Sequence, residues 1–179
     1  MPKEDYEYVC RQCAAIYRTC CRSDPRNTAN RFPLSAFEID ILLSIFPHSE
    51  SIVMEDNSQT FLANMRKLFP DQKNAVQKLF PKQGRHPRLN TAADGTCILM
   101  SQNGCKLPAE SRPYFCRIYP FWIHRKKITV FEDPECLALK RHQSIRKLLQ
   151  TFAVSPEIIL KLHNDMFEKL NCTKPELFK

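Results

Sequence analysis

Apolar positions along most of this chain recur at helical spacing, and two short stretches break that rhythm. Phe37, Ile41, Leu42 and Ile45 predict an amphipathic helix with an apolar stripe. Ser35 stands at the N-cap with Glu38 three residues on, the pattern of a capping box, and Pro47 stops the helix. Residues 56–69 predict a second helix, with Phe61, Leu62, Met65, Leu68 and Phe69 on one side. After Pro70, residues 71–80 continue with Val76, Leu79 and Phe80. The rhythm then changes. Residues 96–107 predict a β-hairpin: Cys97 to Met100 as one strand, a turn over Ser101-Gln102-Asn103-Gly104, and Cys105 to Leu107 as the return. A short turn or helix begins near Pro108. Phe121-Trp122-Ile123 and Ile128 to Phe131 predict a second hairpin with Arg125-Lys126-Lys127 near its turn. Two helices close the chain, one over 134–152. The other has Ser155 as N-cap and Pro156 at its first position, and buries Ile158, Ile159, Leu162, Met166 and Phe167. Before all of these, a cysteine loop runs from Cys10 to about Phe32. The pattern predicts an α+β fold: a mainly helical small domain with short β-hairpins around a cysteine metal site. No repeat or linker divides it, so residues 1–179 read as one domain.

Composition supports a packed core: 43% of the 179 residues are hydrophobic, which argues against disorder. The first residues, MPKEDYEY, lack the apolar stretch of a signal peptide. The run Ile41-Leu42-Leu43-Ser44-Ile45-Phe46 is far too short to span a bilayer. The expected location is cytoplasmic, with no membrane partner. Only three glycines occur, and no Gly-rich phosphate loop exists among them.

Nine cysteines are the outlying feature. Cytosolic thiols are kept reduced, so clustered cysteines there point to metal or redox chemistry rather than disulfides. One group is Cys10-x2-Cys13-x6-Cys20-Cys21. The other is Cys97-x7-Cys105-x10-Cys116, followed by Cys136. Cys-x2-Cys places two sulfurs within reach of one ion or cluster. Cys20 and Cys21 are neighbours with diverging side chains, so which of them ligates stays open. Pairing in the predicted hairpin brings Cys97 and Cys105 together. The expected metal ligands are therefore Cys10, Cys13, Cys20, Cys21, Cys97, Cys105, Cys116 and Cys136, converging across the gap between the groups. Cys172, the ninth, reads as a thiol at a helix end. The alternative for any member is a buried structural cysteine.

Arg112 and Arg117 bracket Cys116 in Ser111-Arg112-Pro113-Tyr114-Phe115-Cys116-Arg117-Ile118-Tyr119-Pro120-Phe121. Positive charge favours thiolate, and arginines can hydrogen-bond cluster sulfurs, so both are expected to contact the bound group. His124 and His142 lie among basic residues and read as solvated or packed. The net charge of +8 suggests an anionic partner, but a thiolate centre is itself anionic and absorbs part of that surplus. Nucleic acid is not excluded.

The run Arg112-Pro113-x2-Cys116-Arg117-x-Tyr119-Pro120-Phe121, preceded by Cys97 and Cys105, resembles the signature of the YkgJ-like cysteine-cluster proteins, described as zinc- or iron-chelating domains. Cys10-x2-Cys13, Cys20-Cys21 and Phe32-Pro33-Leu34-Ser35 match that family's opening pattern, and the resemblance spans roughly residues 8–140. The first loop departs from it, since Ala14 to Thr19 separate cysteines that the family packs more tightly. A similar cysteine region occurs in flagellin lysine N-methylases, where it accompanies an iron–sulfur cluster. The resemblance implies zinc or a cluster such as [4Fe–4S], with no settled activity. Three functional classes follow: a metal-binding protein of unassigned role, an iron–sulfur-dependent protein-modifying enzyme or subunit, and a zinc-stabilised adaptor for nucleic acid or protein.

Overall fold

The computed structural model describes residues 4–15, 21–22, 32–47 and 50–172, without the side chains of 4–8 and 10. Cys20, most of the predicted cysteine loop and the side chain of Cys10 lie outside the described residues. Within them, eight helices accompany three two-stranded antiparallel sheets, so the fold is a small α+β domain.

The chain enters on α1 (Glu4–Ala15). Cys10 and Cys13 therefore stand on a helix, not in the loop expected from their spacing. Next comes α2 (Ala36–Ile45), with Ser35 as N-cap and both halves of the capping box formed with Glu38. Strand β1 (Ile52–Asp56) pairs with β2 (Arg85–Leu89), from Ile52 opposite Leu89 to Asp56 opposite Arg85. The sequence pattern did not predict this sheet. Its partners lie far apart in sequence, and β2 reads Arg-His-Pro-Arg-Leu, with no alternation and a proline inside. Pro87 fits because its carbonyl accepts a hydrogen bond from Leu34 N–H at 2.8 Å. Between the strands lie α3 (Gln59–Leu68), capped by Ser58, and α4 (Lys73–Leu79). The helix predicted from residue 56 thus starts three residues later, because Asp56 completes β1.

The first predicted hairpin is shorter than expected: β3 (Met100–Ser101) and β4 (Gly104–Cys105) pair around a turn in which Gly104 has φ 96°. That positive φ suits glycine, which has no Cβ to clash. Helix α5 (Tyr114–Ile118) leads into β5 (Phe121–His124) and β6 (Lys127–Val130). His124 pairs with Lys127, so Arg125 and Lys126 form the two-residue turn, at φ 48° and 63°. The helix predicted over 134–152 is two helices, α6 (Leu137–Arg141) and α7 (Ile145–Thr151), with Ser144 capping the second. α8 (Pro156–Asn171) starts on Ser155 as expected.

Two apolar cores hold these elements. The larger includes Phe61, Met65, Val76, Ile118, Phe121 and Ile159. Within it, Trp122 Nε1 donates to Leu68 O at 3.1 Å, satisfying the indole where β5 meets α3. The smaller core joins Leu34 and Leu42 of the α2 region to Leu99 and Leu107 of the hairpin region. Two predicted stripes are rotated. On α8 the buried set is Ile159, Leu162, Met166 and Leu170, whereas Ile158 is 48% exposed. On α2, Glu38 and Leu42 face inward and Phe37 is 45% exposed, with Lys169 Nζ 5.4 Å from its ring centroid. The turn of α2 has a polar cause. The buried Glu38 carboxylate accepts from Ser35 N–H (2.7 Å) and from Tyr114 N–H (2.8 Å), the first residue of α5. Burial pushes the Glu38 carboxyl up from its ordinary range, and these hydrogen bonds and Arg117 oppose that rise.

Glu38→Ala leaves two buried N–H groups without an acceptor, at about 1–3 kcal/mol each. A fall in Tm of roughly 4–24 °C is expected by calorimetry at this chain length, and a change within error would show that the bridge from α2 to α5 carries no weight. At the β5–β6 turn, Lys126→Gly relieves a left-handed side-chain conformation. A gain of about 0.5–1 kcal/mol in urea unfolding is the expected result.

Candidate metal centre

Six of the predicted ligands line one cavity of about 440 Å³: Cys13, Cys21, Cys97, Cys105, Cys116 and Cys136. They arrive from α1, the segment at 21–22, the β3–β4 region, α5 and the start of α6. A short backbone ladder joins the two sequence groups. Cys97 N–H donates to Cys21 O at 2.7 Å. Arg22 bridges Thr96, and Thr91 bridges Cys97. The Arg22–Asp94 ion pair at 3.0 Å lies beside this ladder. Cys105 is held by its pairing with Met100. Cys116 rides on α5, whose first N–H is fixed by Glu38.

Nearby backbone N–H groups act to lower two of the thiols, those of Leu99 and Met100 at Cys97 and that of Leu107 at Cys105. Cys136, at the N-cap of α6, makes no side-chain cap hydrogen bond. Cys13 receives the N–H of Leu137. Donors aimed at sulfur favour thiolate and tune a bound metal. Opposing them is burial, the largest effect at every one of these thiols. It pushes Cys97 up to about 11, with Cys21 and Cys105 adding to the rise. Cys116 is raised well above the ordinary thiol range by burial and then by Cys21, Cys97 and Cys105. Crowded, buried thiols of this kind stay protonated unless a cation stands among them.

The predicted arginines separate. Arg112 lines the cavity, its guanidinium hydrogen-bonds Cys105, and its Nε donates to Leu107 O at 3.2 Å. Arg117 lies over the Tyr114 ring, 5.6 Å from its centroid, and does not line the cavity. Neither His124 nor His142 lines it either. Cys172 caps the end of α8 and is exposed. Sequence reasoning missed Asp133, which lines the cavity beside the thiols. Its Oδ1 accepts from Glu135 N–H at 2.8 Å, and its Oδ2 accepts a short hydrogen bond from Tyr119 Oη. The available signal was its place three residues before Cys136.

As placed, no three His, Cys, Asp or Glu side chains among the described residues stand close enough together to hold an ion. No helix among the described residues is long and apolar enough to cross a membrane. No protein-family model, curated protein or solved structure matches the chain. The YkgJ-like resemblance therefore stands on its motif residues alone.

Exposure and enclosure rank the thiols. In metal-free, reduced, folded protein, Cys172 is expected to react first with iodoacetamide and the buried Cys136 at least about tenfold more slowly, read by peptide mass spectrometry. Equal rates at the two positions would contradict the burial of Cys136.

Proposed function

We propose that this protein binds zinc or an iron–sulfur cluster through its clustered cysteines. One observation carries the reading: thiols far apart in sequence line a single cavity. Six thiols and no histidine line the cavity, with Glu132, Asp133 and Glu135 the carboxylates among its lining; the predominance of soft sulfur suits zinc or iron–sulfur chemistry over magnesium or calcium. Binding a cation offsets the mutual repulsion of the thiolates. Coordination would require the thiol side chains to turn toward a common point, since no three of the described His, Cys, Asp or Glu side chains stand within reach of one ion as placed. Arg112 holds Cys105 and offsets anionic charge at the centre. Zinc there would be structural; a cluster would supply electron-transfer or Lewis-acid chemistry, as an iron–sulfur-dependent modifying enzyme or subunit requires. A zinc-stabilised adaptor is the reading for a colourless, zinc-loaded protein.

Anaerobic purification with elemental analysis tests this directly. Brown protein containing iron and sulfide indicates a cluster, and colourless protein with stoichiometric zinc indicates the structural site. Cys116→Ser should lower metal per chain and reduce Tm, because metal-binding energy is also folding energy. Cys172→Ser should keep both. Wild-type metal content and Tm in Cys116→Ser would remove Cys116 from the site.

A further inference from the structure

We propose that Cys21 and Cys97 form a redox-active pair, a modification site at which two thiols close reversibly into one disulfide. The backbone places them. Arg22 and Thr96 form an antiparallel bridge. One step along that ladder, Cys97 N–H donates to Cys21 O at 2.7 Å. The register therefore sets Cys21 directly opposite Cys97. Opposed residues of an antiparallel ladder share a face, with Cβ atoms about 4.5–5.5 Å apart. Their Cα atoms lie about 5.5 Å apart in a hydrogen-bonded pair, and a disulfide spans roughly 4.4–6.8 Å between Cα atoms. Both residues are thiols in the structure, both are only partly buried, and both line the cavity.

Among the described strand registers and bridges, no other sets two cysteines opposite one another. Cys105 faces Met100, and the neighbour of Cys97 on its other side is Thr91. Cys13 and Cys116 lie within helices, and Cys136 at the start of one. A disulfide needs two side chains, not the three that a metal ion would require and that the described residues do not bring together as placed. The Arg22–Asp94 ion pair at 3.0 Å holds the ladder beside the two thiols. The proposal concerns the metal-free chain and stands whether or not the cavity binds metal.

The oxidant is a low-molecular-weight disulfide. The thiolate of one cysteine attacks a sulfur of that disulfide and expels one small thiol, leaving a mixed disulfide. The second cysteine, as thiolate, then attacks the protein-side sulfur and expels the other small thiol. The two protein thiols lose two electrons, the small disulfide gains them, and both protons end on the small thiols. A reducing dithiol reverses the exchange, as a transient cytosolic disulfide requires. The link closes a loop of about 76 residues, and closing a long loop constrains the unfolded chain. It ties the N-terminal segment to the region that carries β3 and β4.

The full chain, reduced and kept with a chelator, is equilibrated in buffers of reduced and oxidised glutathione. It is then quenched in acid and mapped by peptide mass spectrometry without reduction. A peptide bearing Cys21 should be joined to one bearing Cys97, and excess dithiothreitol should release both. The link should persist in Cys20→Ser and Cys105→Ser, whose positions share those tryptic peptides. It should disappear in Cys21→Ser and Cys97→Ser. Alanine replaces serine wherever circular dichroism shows that a variant unfolds. Oxidised wild type should melt roughly 4–16 °C above the reduced form. Absence of the link in folded wild type, its survival in Cys21→Ser or Cys97→Ser, or a Tm that does not rise on oxidation overturns the proposal.

Discussion

The position of α5, and with it Cys116, depends on one buried carboxylate. Glu38 closes the capping box of α2 and also accepts the first N–H of α5, 76 residues away in sequence. A buried acceptor serving donors from two helices fixes their relative placement more tightly than apolar contact alone, because losing either bond strands a donor away from water. The smaller apolar core of Leu34, Leu42, Leu99 and Leu107 then docks the hairpin region against the same helix. Cys97 and Cys105 follow from that docking, and the backbone bond from Cys97 to Cys21 brings in the N-terminal segment.

The cavity built this way is electrostatically unsettled. Burial raises its thiols and each sulfur raises its neighbours, while backbone N–H groups and Arg112 lean toward the thiolate form. Donors directed at sulfur do little for neutral thiols. The metal reading is therefore motivated by the gathering of six thiols from distant parts of the chain around one cavity, with Arg112 beside Cys105.

Local signals gave the sequence its correct readings. Serine caps at Ser35, Ser58, Ser144 and Ser155 begin four helices, although only Ser35 and Ser155 were read as caps in advance. Asn103-Gly104 marked the turn between β3 and β4, and the Phe121 and Ile128 runs marked β5 and β6. Some failures were local, since Cys10 and Cys13 stand on α1 rather than in a loop and the stretch 134–152 breaks into α6 and α7; the others were non-local or depended on orientation. The β1–β2 sheet was invisible because its strands pair across two intervening helices and one contains Pro87. The faces of α2 and α8 were misjudged at Phe37 and Ile158 because a stripe of apolar residues does not say which flank a neighbour will cover.

The sequence by itself determined the chemistry available: cysteines in two groups, Arg112 beside one of them, and an α+β domain with a large apolar share. Those are properties of residue type and short spacing, which local structure preserves. Only the tertiary structure decided that six of the thiols share a cavity, that Arg112 lines it while Arg117 packs on Tyr114, and that Asp133 lines the same cavity. Each of those facts depends on helix rotation and long-range docking. Such terms are set by burial of whole faces and by single buried hydrogen bonds such as that from Tyr114 N–H to Glu38, and no local window of the chain contains both partners.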